Sequence, residues 1–139
     1  FASGATDLVI DINGYFAAPA NGGLSLYTVA PCRVLDTRQP SGAPPVNGVL
    51  DIHVAASTCG IPVMAPAHVL SVAVVPAGIL GYLTLWPQGQ PQPLVASLNA
   101  QDGAIASNMA IVPAINGWLS SFLSSSSHLV VDISGYFAQ

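Results

Sequence analysis

Apolar residues along this chain fall in short runs of about four to eight, several of them alternating with polar positions. Such runs predict strands over Leu8–Ile12, Leu26–Val29, Val49–Val54, His68–Val75, Gly81–Trp86, Leu94–Leu98, Met109–Val112, Trp118–Leu123 and Leu129–Ile133. Turn material separates them: Pro40-Ser41-Gly42, Asn47-Gly48, Cys59-Gly60-Ile61-Pro62, Ala77-Gly78, Gln88-Gly89-Gln90-Pro91, Gln101-Asp102-Gly103 and Asn116-Gly117. No segment of 12 or more residues keeps a helical period. The expected fold is all-β, an antiparallel β-sandwich or closed β-barrel of about eight to ten short strands.

A duplication refines this. Residues 1–17 read FASGATDLVIDINGYFA and residues 122–138 read FLSSSSHLVVDISGYFA. At an offset of 121 they agree at 10 of 17 positions, including Leu8/Leu129, Asp11/Asp132, Ile12/Ile133 and the whole Gly14-Tyr15-Phe16-Ala17 string. A period of that size belongs to domains rather than to solenoid repeats. The chain then divides into an extra N-terminal strand segment (1–17), a short linker (18–23) and one complete β-module (24–139). Residues 1–17 are expected to close a preceding repeat or to form an intersubunit linking strand, with Leu8, Ile10, Ile12, Tyr15 and Phe16 as its contact residues.

Composition narrows the function classes. Hydrophobic residues make up 52% of the 139 positions and charged residues 6%: Arg33 and Arg38 against six Asp, with no Lys and no Glu. Disorder needs the opposite balance. Two Arg cannot neutralise a row of phosphates, so nucleic acid is excluded as a partner. Residues 52–101 and 103–131 carry no Asp, Glu, Lys or Arg, but prolines, glycines and serines interrupt both stretches. No run of about 20 apolar residues is left for a spanning helix, and the strands are too few for a membrane barrel with a polar interior. The apolar excess is expected to face a core, a neighbouring module or a polymer partner.

Cys32 and Cys59 lack metal-ligand spacing, and in a chain rich in Ser, Pro and Gly they read as a disulfide, the alternative being two buried thiols. A disulfide implies an extracellular location. No signal peptide is recognisable, and a start at Phe1 reads as a mature or trimmed product.

Five motifs carry a resemblance: Pro31-Cys32-Arg33-Val34-Leu35-Asp36-Thr37-Arg38, then Cys59-Gly60-Ile61-Pro62, Gly81-Tyr82-Leu83-Thr84-Leu85-Trp86-Pro87, Ser97-Leu98-Asn99 and Val131-Asp132-Ile133-Ser134-Gly135-Tyr136-Phe137. In this order they resemble a module that recurs, often in tandem, in large secreted and cell-surface proteins of bacteria. The resemblance runs from about Tyr27 to Phe137 and implies an extracellular β-rich domain without a defined catalytic set.

Candidate chemistry is sparse. Paired-carboxylate catalysis would have to draw on six Asp, two of them repeat equivalents. Ser and three His are present, but there is no G-x-S-x-G elbow and no zinc-ligand spacing, so neither an enzyme, a metal nor a cofactor is expected. Arg33 and Arg38 read as a structural charge network with Asp36 and Asp132, the alternative being an anion clamp. On Gly81–Trp86 the period of two sets Leu83 and Leu85 towards the core and Tyr82 and Trp86 outward, about 13 Å apart. Those rings, with Trp118, are candidate glycan contacts. The expectation is a non-catalytic structural or adhesive module of a surface array or head-to-tail filament that associates with its own copies. The alternative is an accessory module binding cell-surface polysaccharide.

Overall fold

The computed structural model describes residues 4–5, 10, 12, 14–18 and 20–139. Seven strands form in chain order: β1 (Ser25–Asp36), β2 (Val46–His53), β3 (Ala67–Pro76), β4 (Leu80–Pro87), β5 (Leu98–Ala100), β6 (Ala106–Pro113) and β7 (Trp118–Ala138), with one 3-10 turn at Val54–Ala56. They make an all-β, antiparallel, nearly closed barrel-like sheet, the class the hydrophobic pattern predicts. The strand expected at Leu8–Ile12 falls largely outside the described residues.

β7 is the spine. Its first part, Trp118–Leu123, lies between β2 and β4, and its last part, Ser127–Ala138, lies between β1 and β3. β5 extends the sheet beyond β4, and β6 extends it beyond β3. Fully extended, 21 residues would span about 65–70 Å. Yet Ile115 bridges to Trp118, while Pro113 pairs with Ala67, which pairs with Phe137. The two ends of β7 are therefore a few strand widths apart, so the strand must fold back on itself.

The bend falls at Ser124–Ser127. β4 pairs with β7 only as far as Leu123, β3 begins at Ser127, and β2 slips register across the same point. Sequence reading takes this serine run as a gap between two strands, whereas it is the corner of one. Small hydroxyl side chains suit a corner because they satisfy the backbone that the bend exposes. Ser124 Oγ accepts from Tyr82 N at 2.9 Å, Ser125 Oγ donates to Ile79 O at 2.6 Å, and Ser126 O accepts from Ala77 N at 3.0 Å. The expected Asn47-Gly48 turn is likewise a bulge inside β2, where Gly48 adopts a φ of 84° that a residue with Cβ would resist.

Inward positions alternate as the period of two requires. His68, Leu70, Val72 and Val74 on β3 are buried, as are Leu129, Val131 and Ile133 on β7. With Ile52, Leu80, Leu83, Leu119, Leu123 and Val112 they form a single core enclosed by both halves of the sheet. The barrel is fastened on both flanks of the spine. On one side the Cys32–Cys59 disulfide ties β1 to the loop after β2, and on the other Asn108 Nδ2 donates to Ser97 O at 2.8 Å.

His68 is the anomaly in this core. Its side chain is fully buried, and neither ring nitrogen has a hydrogen-bond partner. Burial alone holds its pKa down, from 6.5 to about 4. The neutral ring is thus the folded-state form, and stability is complete above the unfolded pKa near 6.5. As pH falls from about 6.5 to about 4, the unfolded chain takes up a proton that the fold refuses. That loss amounts to at most about 3 kcal/mol. Asp36 and Asp51, both held below the ordinary carboxylate value, lose their contribution only below about pH 4. Urea titrations from pH 7 to 4.5 are expected to show falling stability for the parent chain and a flat profile for His68→Leu. Separately, Cys32→Ala with Cys59→Ala is expected to cost about 3–4 kcal/mol, by freeing the loop in the unfolded chain, as read by denaturant midpoint.

Candidate functional site: the arginine cluster and the aromatic positions

Both cations of the chain sit on one short stretch. Arg33 lies on β1 opposite Asp132 on β7, and Asp36 ends β1 immediately before the turn that carries Arg38. The Arg33 guanidinium grips Asp132 with two nitrogens, Nε to Oδ1 and Nη2 to Oδ2, the latter at 3.3 Å. Its Nη1 donates to Asp36 Oδ2 at 2.9 Å. Arg38 grips the same Asp36 from the other side, Nε to Oδ1 at 2.8 Å and Nη2 to Oδ2 at 2.7 Å, and its backbone N–H adds a third bond at 3.0 Å.

Asp36 thereby accepts from the Arg38 fork, from one Arg33 nitrogen and from one amide. The Arg38 hydrogen bonds hold its carboxyl well below the usual carboxylate range, against the opposing effect of desolvation, with the charge of Arg33 adding to the shift. Two cations and two anions cancel, and the guanidinium edges that would bind an external anion are turned to internal carboxylates. The arrangement is that of a structural clamp: Arg33 joins β1 to β7 beside the disulfide, and Asp36 couples Arg33 to Arg38.

The aromatic residues are not arranged as the alternation on β4 predicts. Tyr82 is partly exposed, but Trp86 is only 6% exposed, and its Nε1 donates to Gln90 O at 2.9 Å. Leu83, Thr84, Leu85 and Trp86 are buried in succession, on both faces of the strand. The cause is the segment before β5. Thr84 Oγ1 donates to Val95 O at 2.6 Å, Ser97 N donates to Leu83 O at 2.7 Å, and Ser97 Oγ accepts from Leu85 N at 3.1 Å. Residues 94–97, expected as strand, are instead an irregular cover over β4, and the strand is confined to Leu98–Ala100. The expected outward pair of Tyr82 and Trp86 is therefore not formed. Tyr82 packs on Phe122 with ring centroids 5.6 Å apart, and Trp118 stacks on His53 at 4.1 Å. The register sets Tyr82, Trp86 and Trp118 on one face of the sheet, but Trp86 is covered there and the three rings offer no common accessible surface.

A second polar group escaped sequence reading. Asp51 accepts from Ser120 Oγ at 2.6 Å and from Gln88 Nε2 at 2.7 Å, which lowers its pKa. It links β2, β7 and the loop after β4. Nothing in the spacing of residues 51, 88 and 120 signals that contact, because it arises from three distant segments. Among the described residues no three His, Cys, Asp or Glu side chains gather into a group that would hold a metal. No helix there is long and apolar enough to cross a membrane.

Of the candidate linking residues, Ile10, Ile12, Tyr15 and Phe16 are 74%, 87%, 90% and 79% exposed, and Leu8 lies outside the described residues. Phe16 touches the module through Phe137, with centroids 6.0 Å apart. Ile12 borders an open groove of about 520 Å³ between Trp86–Pro87 and β6. Comparison with family models, with curated proteins and with solved structures finds no match.

Arg33→Ala is expected to cost on the order of 1 kcal/mol, the exposure of its side chain limiting the loss, because it strands Asp132 and unties β1 from β7. Arg38→Ala is expected to cost less, since Asp36 keeps Arg33. Thermal unfolding of the two variants checks the order, and equal losses would remove Arg33 from the joint between the strands.

Proposed function

We propose that this chain is a non-catalytic extracellular building block, a structural or adhesive module whose N-terminal segment joins it to an adjacent copy. That copy is either an upstream module or the next subunit. One observation carries the reading. Ile133 is fully buried in β7 while its duplicate Ile12 is 87% exposed, and Tyr136 is half-buried while its duplicate Tyr15 is 90% exposed. A segment with the sequence of a closing strand and the exposure of a tail has apolar surface left uncovered, and a sheet like this one is what it fits.

Other features agree with an assembly role. The charge cluster is neutralised internally, and the few remaining charged residues leave an apolar surface suited to packing against neighbours. The disulfide suits an oxidising compartment, and the motif series points towards tandem modules of bacterial secreted and cell-surface proteins. Polysaccharide binding through Tyr82, Trp86 and Trp118 is the weaker reading, because those three rings do not share an accessible face.

Light scattering and negative-stain electron microscopy test the proposal. The full chain is expected to form concentration-dependent assemblies that disappear when residues 1–17 are deleted. A strict monomer that is indifferent to the deletion would overturn the subunit-linking role and leave residues 1–17 to an upstream module, and polysaccharide binding abolished by Tyr82→Ala or Trp118→Ala would move the assignment to a carbohydrate-binding module.

A further inference from the structure

The sheet has a closing slot, and two segments of the sequence match its occupant. The slot is the channel between β1 and β3 that holds Ser127–Ala138 of β7. At the offset of 121, residues 6–17 are the counterpart of residues 127–138.

The match can be followed position by position. Leu129, Val131 and Ile133 point into the core and are fully buried, and their counterparts are Leu8, Ile10 and Ile12, which differ by a single added methyl group. Asp132 supplies the carboxylate that Arg33 grips, and its counterpart is Asp11. Tyr136 stacks on Tyr27 at 5.3 Å, and its counterpart is Tyr15. The strictest requirement is at Gly135, where a Cβ would stand 2.8 Å from the carbonyl oxygen of Tyr27. The slot excludes every other residue there, and the counterpart is Gly14. Where Gly14 now lies, a Cβ would meet nothing within 4 Å, so its surroundings place no demand for glycine. The other departures are Thr6 in place of the buried Ser127, Asp7 in place of His128, beside Thr37, and Asn13 in place of the exposed Ser134.

The route into the slot is short. The register of β1 against β7 sets Ala138 opposite Ser25, so an exchanged segment would set Ala17 there, with seven residues (18–24) to make the connection. A turn already forms in that stretch, where Gly23 N donates to Ala20 O at 3.0 Å and Gly22 takes a φ of 85°. An antiparallel hairpin with β1 needs no longer loop than this. Phe16 already rests against Phe137, the residue whose place it would take. The serine corner supplies the other half of the device, a break in both ladders beyond which Ser127–Ala138 can detach while Trp118–Leu123 stays paired.

We infer that residues 6–17 are a second closing strand for this module's own slot, able to replace residues 127–138 in register as a hairpin with β1. The exchange needs no second copy. It determines whether the module offers its N-terminal or its C-terminal strand to a neighbour.

Three full-length variants test this. Ile133→Asp places a charge at a fully buried position and disables the C-terminal strand, Ile12→Asp disables the N-terminal one, and the third variant carries both. Ile12→Asp alone is expected to leave the melting curve unchanged. Ile133→Asp is expected to keep a cooperative transition at a lowered Tm in a chain that is monomeric by light scattering, its residues 6–17 being taken up by its own slot. The double variant is expected to lose the transition. Adding Gly14→Val to Ile133→Asp should abolish the rescue as completely as Ile12→Asp does, because the crowded position at Tyr27 exists only inside the slot. An Ile133→Asp chain as unfolded as the double variant overturns the inference. One that folds only as an oligomer also overturns it, by assigning the slot's second occupant to another chain.

Discussion

Everything in this fold hangs on one strand. β7 hydrogen-bonds to β1, β2, β3 and β4, and no other element is shared by both halves of the sheet. A single strand can do this only by turning a corner, and a corner breaks the ladder on both of its edges. Ser124 and Ser125 make the break tolerable by supplying hydroxyls to backbone groups of β4 and of the turn before it, and Ser126 by offering its carbonyl to Ala77. Inward residues on either side of the corner then converge on one core, and the remaining strands take their places by pairing to the spine.

The scarcity of charge is consistent with this architecture. With so few ionic groups available, polar connections between strands are made mostly by hydroxyls and amides, such as Ser120 to Asp51 and Asn108 to Ser97. The two guanidiniums are placed where β1 meets the end of the spine, on the flank that the disulfide also fastens. Such a joint fastens the end of the spine to β1. His68 works against the fold by comparison, a buried ring whose only accommodation is to remain neutral.

A slot so closely defined explains why a copy of its occupant is informative. The requirements at Arg33, at Tyr27 and along the core are met twice in the sequence, once by a buried segment and once by a segment whose described residues are exposed. Redundancy of that kind links fold and assembly, because the strand left over carries the same contact residues as the strand in use.

Much of this was legible in the chain itself. The period of two located β3 over His68–Val75 within a residue at each end, the cysteines were paired, and the Arg33–Asp36–Arg38–Asp132 network followed from the cost of leaving a charge unpaired. These follow from local periodicity and from composition, which the sequence alone determines, whereas the choice of Asp132, 99 residues away, as a partner of Arg33 belongs to the packing. Other features depended on which surfaces meet. The serine run reads as a loop until both its flanks are seen to continue one strand. Trp86 reads as outward until the chain after β4 turns back and Gln90 O accepts from its indole nitrogen. The contact of Asp51 with Ser120 and Gln88 has no signature, since three remote segments create it. The duplicated segment shows the limit most plainly: sequence makes Ile12 and Ile133 equivalents, but only packing decides which of them is buried, because the slot admits one strand at a time.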